Sequence, residues 1–424
     1  MVLSNLSIPL LGIVDTAVMG HLPSAEYVGA VAVGGLIFNF IFWGLRFLRM
    51  GTTGITAQAF GTGDIDEVRA SLIRALLISV ALAVIILALQ NLIAWVSFTL
   101  IDGSLRVESL ATIYFSTRIW STPASLANLV VIGWFIGLQN TKIPLILLLV
   151  SNGCNILLDL LFVLVFEMDI HGIALATVIA EYLGLIIGIG LIYRAGFRHP
   201  SSWRWTTIAA PGKITHMLTI NRHIFVRTLC LILVFAFFTA QSAKQGDVIL
   251  AANAALLNFY TLMAYGLDGI AYAAEALIGK TIGSRNRTGL KASVKACAQW
   301  STAIALLFCS AYAAFGVNLI GLMTTISAVA HAAQTYLPWA VIAPIISAPS
   351  FLLDGIFIGA TRGREMQNSM IFAAALIFIP SWHALQPYGN HGLWGAFMLF
   401  MVARGISMAW LYRRIASDPM DVNP

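Results

Sequence analysis

A few ionisable residues stand inside otherwise apolar stretches of this chain: Asp15, Asp159, Glu181, Asp268, Glu275, Asp354 and Arg404. A charge at the centre of a membrane helix costs about 2.5–3.5 kcal/mol or more, so each is a candidate for chemistry. Asp15 follows Pro9 and Gly12. Proline removes a backbone donor and crowds the preceding turn, so Pro9 and Gly12 read as a hinge. Protonating an acid beside a hinge removes its charge, changes its hydrogen bonds and biases the bend. Asp15 is therefore the expected principal protonation site. Asp159 lies four residues after Asn155 and seven after Asn152, which puts all three on one helical face. A carboxylate with two amides offers hard oxygens, suited to a proton or to sodium. The competing reading is a hydrogen-bond cluster that glues helices together. Thr177 completes such a cluster from the next helix, and Glu181 lies one turn further on. Asp268 and Glu275 are seven apart and share a face. With Asp354 they form a second acidic patch, unless they pair with Arg404 or, for Glu275, cap a helix end.

The elements that position these residues are membrane helices. The chain has 424 residues, 59% hydrophobic and only 10% charged, with a mean hydropathy of +0.88. Soluble domains carry about 25% charged residues, so a soluble fold is excluded. A crossing helix needs about 20 mostly apolar residues. Gly, Pro and charge punctuation predicts twelve spans, near 1–20, 28–49, 72–99, 110–138, 143–166, 171–194, 221–243, 248–278, 291–318, 334–360, 366–386 and 391–412. The first is not expected to be a cleaved signal peptide, since no basic region precedes it and Asp15 interrupts it. It opens already apolar at Val2 and Leu3, so part of this helix, or a segment before it, is expected outside this numbering.

Most of the 24 Lys and Arg fall in one set of expected loops and their flanks, among them Arg46, Arg49, Arg69, Arg74, Arg222, Arg227 and Lys280. The opposite flanks carry Arg106, Arg118 and Lys244. This bias places both termini in the cytoplasm. The net charge of +6 is thus a matter of topology, and no nucleic-acid partner is expected.

The two halves repeat each other. GWFIGLQNTK at 133–142 aligns with GIFIGATRGR at 355–364, a shift of 222. A shift of 220 places His171-Gly172 on His391-Gly392. Six spans per half give both halves the same orientation, a parallel repeat. The expected domains are an N-lobe at 1–194, a basic cytoplasmic linker at 195–220 carrying Trp203 and Trp205, and a C-lobe at 221–424. Two such lobes around a central cleft are the alternating-access plan of a transporter.

Other chemistries lack support. Cys154, Cys230, Cys297 and Cys309 show no C-x-x-C spacing and read as apolar packing residues. No phosphate-cradling glycine loop, Ser-His-Asp pattern or H-E-x-x-H is present. No cofactor is expected beyond the coupling ion. Aromatic and Met residues such as Phe38, Phe40, Met50, Tyr260, Met263 and Tyr265 could hold organic cations, but most residues of this kind face lipid or packed helices.

IPLLGIVDTAVMGHL, LRFLRMGTTGITAQAFG, PASLANLVVIGWFIGLQNTK, LATVIAEY and LLDGIFIGATRGREMQNSM resemble the multidrug and toxic compound extrusion (MATE) transporters, in particular their DinF-like branch. The resemblance covers nearly the whole chain. It implies an all-α integral membrane protein with twelve helices in two pseudo-symmetric lobes. It also implies export of varied, often cationic drugs and toxins in exchange for protons or sodium. The family's N-lobe cation site maps onto Asp15, Asn155, Asp159 and Thr177, with Asn128 as the fourth-helix amide, and these same residues are the alternative sodium site. The family's C-lobe sodium site pairs a seventh-helix Glu with a tenth-helix Asp. Asp354 matches the Asp, but 221–243 contains no acid. The expected protein is a proton-coupled drug exporter acting as a monomer in a bacterial inner membrane. A lipid or lipid-linked glycan flippase on the same plan would need several buried cations, of which the sequence offers few, and a membrane enzyme is the remaining rival.

Overall fold

A computed structural model describes residues 25–101, 104–195 and 205–417. The first expected span, with Asp15, Pro9 and Gly12, lies outside the described residues, as does Trp203. The described chain is all helical. Its helices are α1 (Ala25–Leu45), α2 (Phe47–Thr62), α3 (Ile65–Ala88), α4 (Gln90–Ile101), α5 (Leu105–Arg118), α6 (Thr122–Gly137), α7 (Lys142–Leu160), α8 (Asp169–Arg194), α9 (Trp205–Ile208), α10 (Pro211–Ala243), α11 (Asp247–Gly283), α12 (Arg287–Met323), α13 (Ser327–Gly359), α14 (Gly363–Ile371), α15 (Ile379–Leu385) and α16 (Gly389–Ser417). Wider π-helical turns continue α7 over Leu161–Val165 and join α14 to α15 over Phe372–Phe378.

Among the described residues, 10 helical stretches are long and apolar enough to cross a membrane. The spans expected at 366–386 and 391–412 run together as one stretch, Gly363–Arg413, which turns at Gln386–Tyr388 before Gly389 at φ 57°. The outer loop expected at 320–333 shrinks to three residues, because α13 already starts at Ser327. The 37-residue helices α11 and α12 are about 55 Å long at 1.5 Å per residue, well beyond a ~30 Å hydrocarbon core. Large apolar side chains such as Leu77, Val80, Val84, Leu307 and Phe315 stand exposed, the surface expected of a protein solvated by lipid.

The chain divides into two compact units, one built around 64–217 with the preceding segment to Phe60, the other around 218–424. In the first, α6 packs on α3 and α8, α7 on α8, and α5 on α1 and α8. In the second, α11 and α12 pack on each other and on α13, which also packs on α16. Phe235, Tyr260 and Phe397 interlock ring on ring in its core. α9 lies in the expected linker and is fastened to the first unit. Arg74 donates to the carbonyls of Ile208 (3.0 Å) and Thr207 (2.9 Å) while forking onto Glu67.

Each unit repeats the other's construction at the 222-residue spacing. A Cβ on Gly133 would stand 2.5 Å from the Arg49 carbonyl oxygen, and one on Gly355 would stand 2.4 Å from that of Ala271. Glycine is required at both because the helix backbones touch there. Gln139 (φ 62°) and Thr361 (φ 55°) end these helices in the left-handed region. Asn140 N–H then donates to Phe135 O, and Arg362 N–H to Phe357 O, each at 2.9 Å, a paired C-terminal cap. At the next helix start the Asp64 carboxylate accepts from Glu67 N–H, and the Asn286 amide oxygen accepts from Gly289 N–H. His171 pairs with Thr117, and His391 accepts from Trp339.

Candidate functional site

In the first unit the polar residues singled out by sequence gather where α6, α7 and α8 meet. Asn128 on α6 donates to the Glu181 carboxylate at 2.8 Å and to the Glu181 carbonyl at 2.9 Å. Ser125 and Arg118 also bear on that carboxylate. One turn back on α8, the Thr177 hydroxyl accepts from Asn155 at 3.3 Å and donates to the Ile173 carbonyl. Ser151 donates to the Ala180 carbonyl between these two levels. α7 and α8 can approach this closely because Gly184 lacks a side chain. A Cβ there would lie 2.3 Å from Ser151 Oγ and 3.4 Å from the Asn128 amide nitrogen.

Asp159 is one turn beyond Asn155 and 1% exposed, at the point where α7 loosens into its π-helical turn. Such turns often accompany functional sites. The buried Asn128 Oδ1 and Asn152 Nδ2 have no hydrogen-bond partner among the described residues. The site thus combines two carboxylates, three amides and three hydroxyls in an apolar setting, chemically able to hold a proton or a hard cation.

In the second unit Asp354 takes the alternative left open by the sequence, pairing with Arg404, and it is gripped by a second arginine as well. Its Oδ2 accepts from Arg404 at 2.7 Å and from Arg227. Asp268 is half-buried and within electrostatic reach of Arg404. Glu275 is buried where the α11 backbone meets Gly359 of α13. The pairing arises because the seventh expected span carries Arg227, not an acid, at the level of Asp354.

Sequence reasoning missed this cation, and others. Arg49, Arg74 and Arg227, expected in loop flanks, are all buried within helices. The uncharged runs set the expected span ends, but the helices continue past them, so these arginines face protein. For Arg49 a signal was present in the duplication, since the 222-residue shift places it on Ala271, the residue that meets Gly355 as Arg49 meets Gly133. Among the described residues no group of three or more His, Cys, Asp or Glu could hold a metal ion. The four cysteines are free and unpaired with one another.

A polytopic, all-helical chain built twice over, with buried ionisable groups within each unit, defines a multi-pass membrane transporter. Comparison with known proteins makes the class specific. The MatE family model matches residues 1–161 and 224–382. The chain is 42% identical over 414 residues to DNA damage-inducible protein F of Escherichia coli, covering 98% of this chain and 90% of that protein. It is 24% identical to a probable multidrug resistance protein NorM of Rhizobium meliloti, over 96% and 90% of the two chains. Its fold matches the bent form of the Vibrio cholerae MATE transporter VcmN with a TM-score of 0.88, at 20% identity and covering 99% and 95%. The chain belongs to the MATE family of transporters, on its DinF-like branch.

Proposed function

We propose that the chain is a secondary active exporter that exchanges protons for organic compounds, many of them cationic, by alternating access. Twelve helices form two six-helix lobes, 1–194 and 221–424, around a central cleft. They lie in a bacterial inner membrane with both termini cytoplasmic, and one chain is the working unit. Asp15 is the principal protonation site. Asn155, Asp159 and Thr177 form its network, with Asn128, Asn152 and Glu181 continuing it along α6, α7 and α8. Protonation of Asp15 from outside bends the first helix at Pro9 and Gly12, collapses a cavity in the N-lobe and expels the drug.

The observation that carries this reading is the α6–α7–α8 polar line, where Asn128 holds Glu181 and Asn155 holds Thr177 inside an apolar unit. Hydrogen-bonded acids of this kind in a membrane mark proton relays. The Asp159, Asn155 and Thr177 oxygens are also a hard donor set, which favours sodium as the second reading.

The test uses purified protein in sodium-free liposomes with an imposed pH gradient and a fluorescent organic cation. Wild type is expected to transport and Asp15→Asn is not. Transport that appears only on adding sodium would replace the proton by sodium at the same residues. No cation movement under either gradient would overturn the exporter reading.

A further inference from the structure

We propose that the second unit carries a binding site for a small organic oxyanion, the carboxylate of an aromatic acid, formed by Arg227 and Arg404 around Asp354. The inference deepens the export reading by naming a class of cargo, and it depends on that reading only for the direction of movement.

Two features of the geometry point there. The first is a surplus of donors. Both guanidiniums converge on the same oxygen of Asp354, Oδ2. The other oxygen, Oδ1, has no hydrogen-bond partner among the described residues, and neither do Nε of Arg227 and Nε of Arg404. All three residues are more than nine-tenths buried. A guanidinium carries five N–H donors in a planar fork. A fully used pair would grip both carboxylate oxygens side by side. Here one oxygen and the Met401 sulfur are the acceptors for both arginines. Buried donors left without acceptors are costly, and two cations within reach of one another in an apolar interior are costlier still. An incoming carboxylate supplies acceptors for the two Nε donors. The second feature is an aromatic wall beside the cations. The Phe400 ring centre lies 5.5 Å from the Arg404 guanidinium. Tyr260 and Phe397 stack edge to face at 5.2 Å next to it. These rings are buried in the unit's core, so a ring attached to the carboxylate packs among them only where the surrounding helices part.

The internal repeat sharpens the point. At the spacing of 220 residues, Met401 occupies the position of Glu181, Arg404 that of Gly184 and Phe397 that of Thr177. The same helix face therefore carries acid and hydroxyl in the first unit, and guanidinium and aromatic ring in the second. Each unit presents the opposite charge preference at corresponding positions, and the second is the one suited to an anion.

The test reads binding by the full chain in nanodiscs of neutral phosphatidylcholine, using equilibrium dialysis. The probes are radiolabelled phenylacetate and phenethylamine, the same scaffold with opposite charge. Phenylacetate is expected to bind wild type. Arg404→Gln and Arg227→Gln should each weaken it about tenfold or more. Asp354→Asn keeps a carbonyl acceptor but removes the competing charge, and should tighten phenylacetate about tenfold. The arginine variants should not weaken phenethylamine. Each variant decides by itself, so failure of one to fold leaves the others conclusive. Unchanged or weaker phenylacetate binding in Asp354→Asn would reduce the cluster to a structural ion pair, and so would wild type that binds only the amine or neither probe. Because transport is not measured, that result would leave proton exchange standing, and loss of proton exchange would leave this site to be judged by binding alone.

Discussion

Gly355→Ala is a single methyl group placed where two backbones meet. Its Cβ would stand 2.4 Å from the Ala271 carbonyl oxygen, 2.9 Å from its Cα and 3.0 Å from its carbonyl carbon. Ordinary contact begins near 3.4 Å, so α11 and α13 must part by about 1 Å at this crossing. No flexible side chain can yield in their place. A gap of that size forfeits a quarter to a half of the dispersion energy of the contact, and overpacking of this kind costs about 1–3 kcal/mol. With a unit of this size, that lowers the apparent melting temperature by roughly 2–12 °C. Gly133→Ala should match it, since its Cβ would meet the Arg49 carbonyl oxygen at 2.5 Å. Gly190→Ala is the contrast, because nothing lies within 4 Å of its Cβ. There the change only stiffens a helix, worth about 0.5–1 kcal/mol of stabilisation. Thermal unfolding of the purified protein in detergent, followed by loss of the monodisperse peak, measures all three. The reasoning is refuted if Gly355→Ala melts with wild type, or if Gly190→Ala falls as far as the other two.

The other predictions concern charge and hydrogen bonding. Glu181→Gln keeps an acceptor for Asn128 but removes the charge, so proton-driven uptake of an organic cation into inverted liposomes should drop at least about tenfold while the melting temperature stays near that of wild type. Arg74→Met removes the fork on Glu67 and the donors to Thr207 and Ile208. It should cost about 3 kcal/mol, and limited proteolysis within 205–210 should speed up accordingly. Asn253→Ala removes the group that joins Ser242, Asn390 and Trp394 in one buried network. A loss of about 2–4 kcal/mol is expected in thermal unfolding, with the preference for proton or sodium unchanged in transport assays.

Much of this protein is written in one dimension. Apolar runs of membrane length, separated by Gly, Pro and charge, dictate helices because lipid offers backbone groups no other partner. The repeat of GWFIG as GIFIG was legible as letters, whereas the backbone contacts that require Gly133 and Gly355 appear only in the packed helices. The pairing of Asn155 with Thr177 was legible too, because helical periodicity places such residues on facing stripes. Arg227 was not. Its neighbours along the chain are those of a cytoplasmic flank, and only the packing of α10, α13 and α16 brings it to Asp354 and Arg404. Burial of Arg49 and Arg74 escaped for the same reason, since an arginine near a helix end can reach water or turn inward with equal local sequence. The sequence by itself determined the frame that both units share. Tertiary structure alone decided which charges meet, because the partner of a buried charge is chosen by the helices that pack around it and not by its neighbours in the chain.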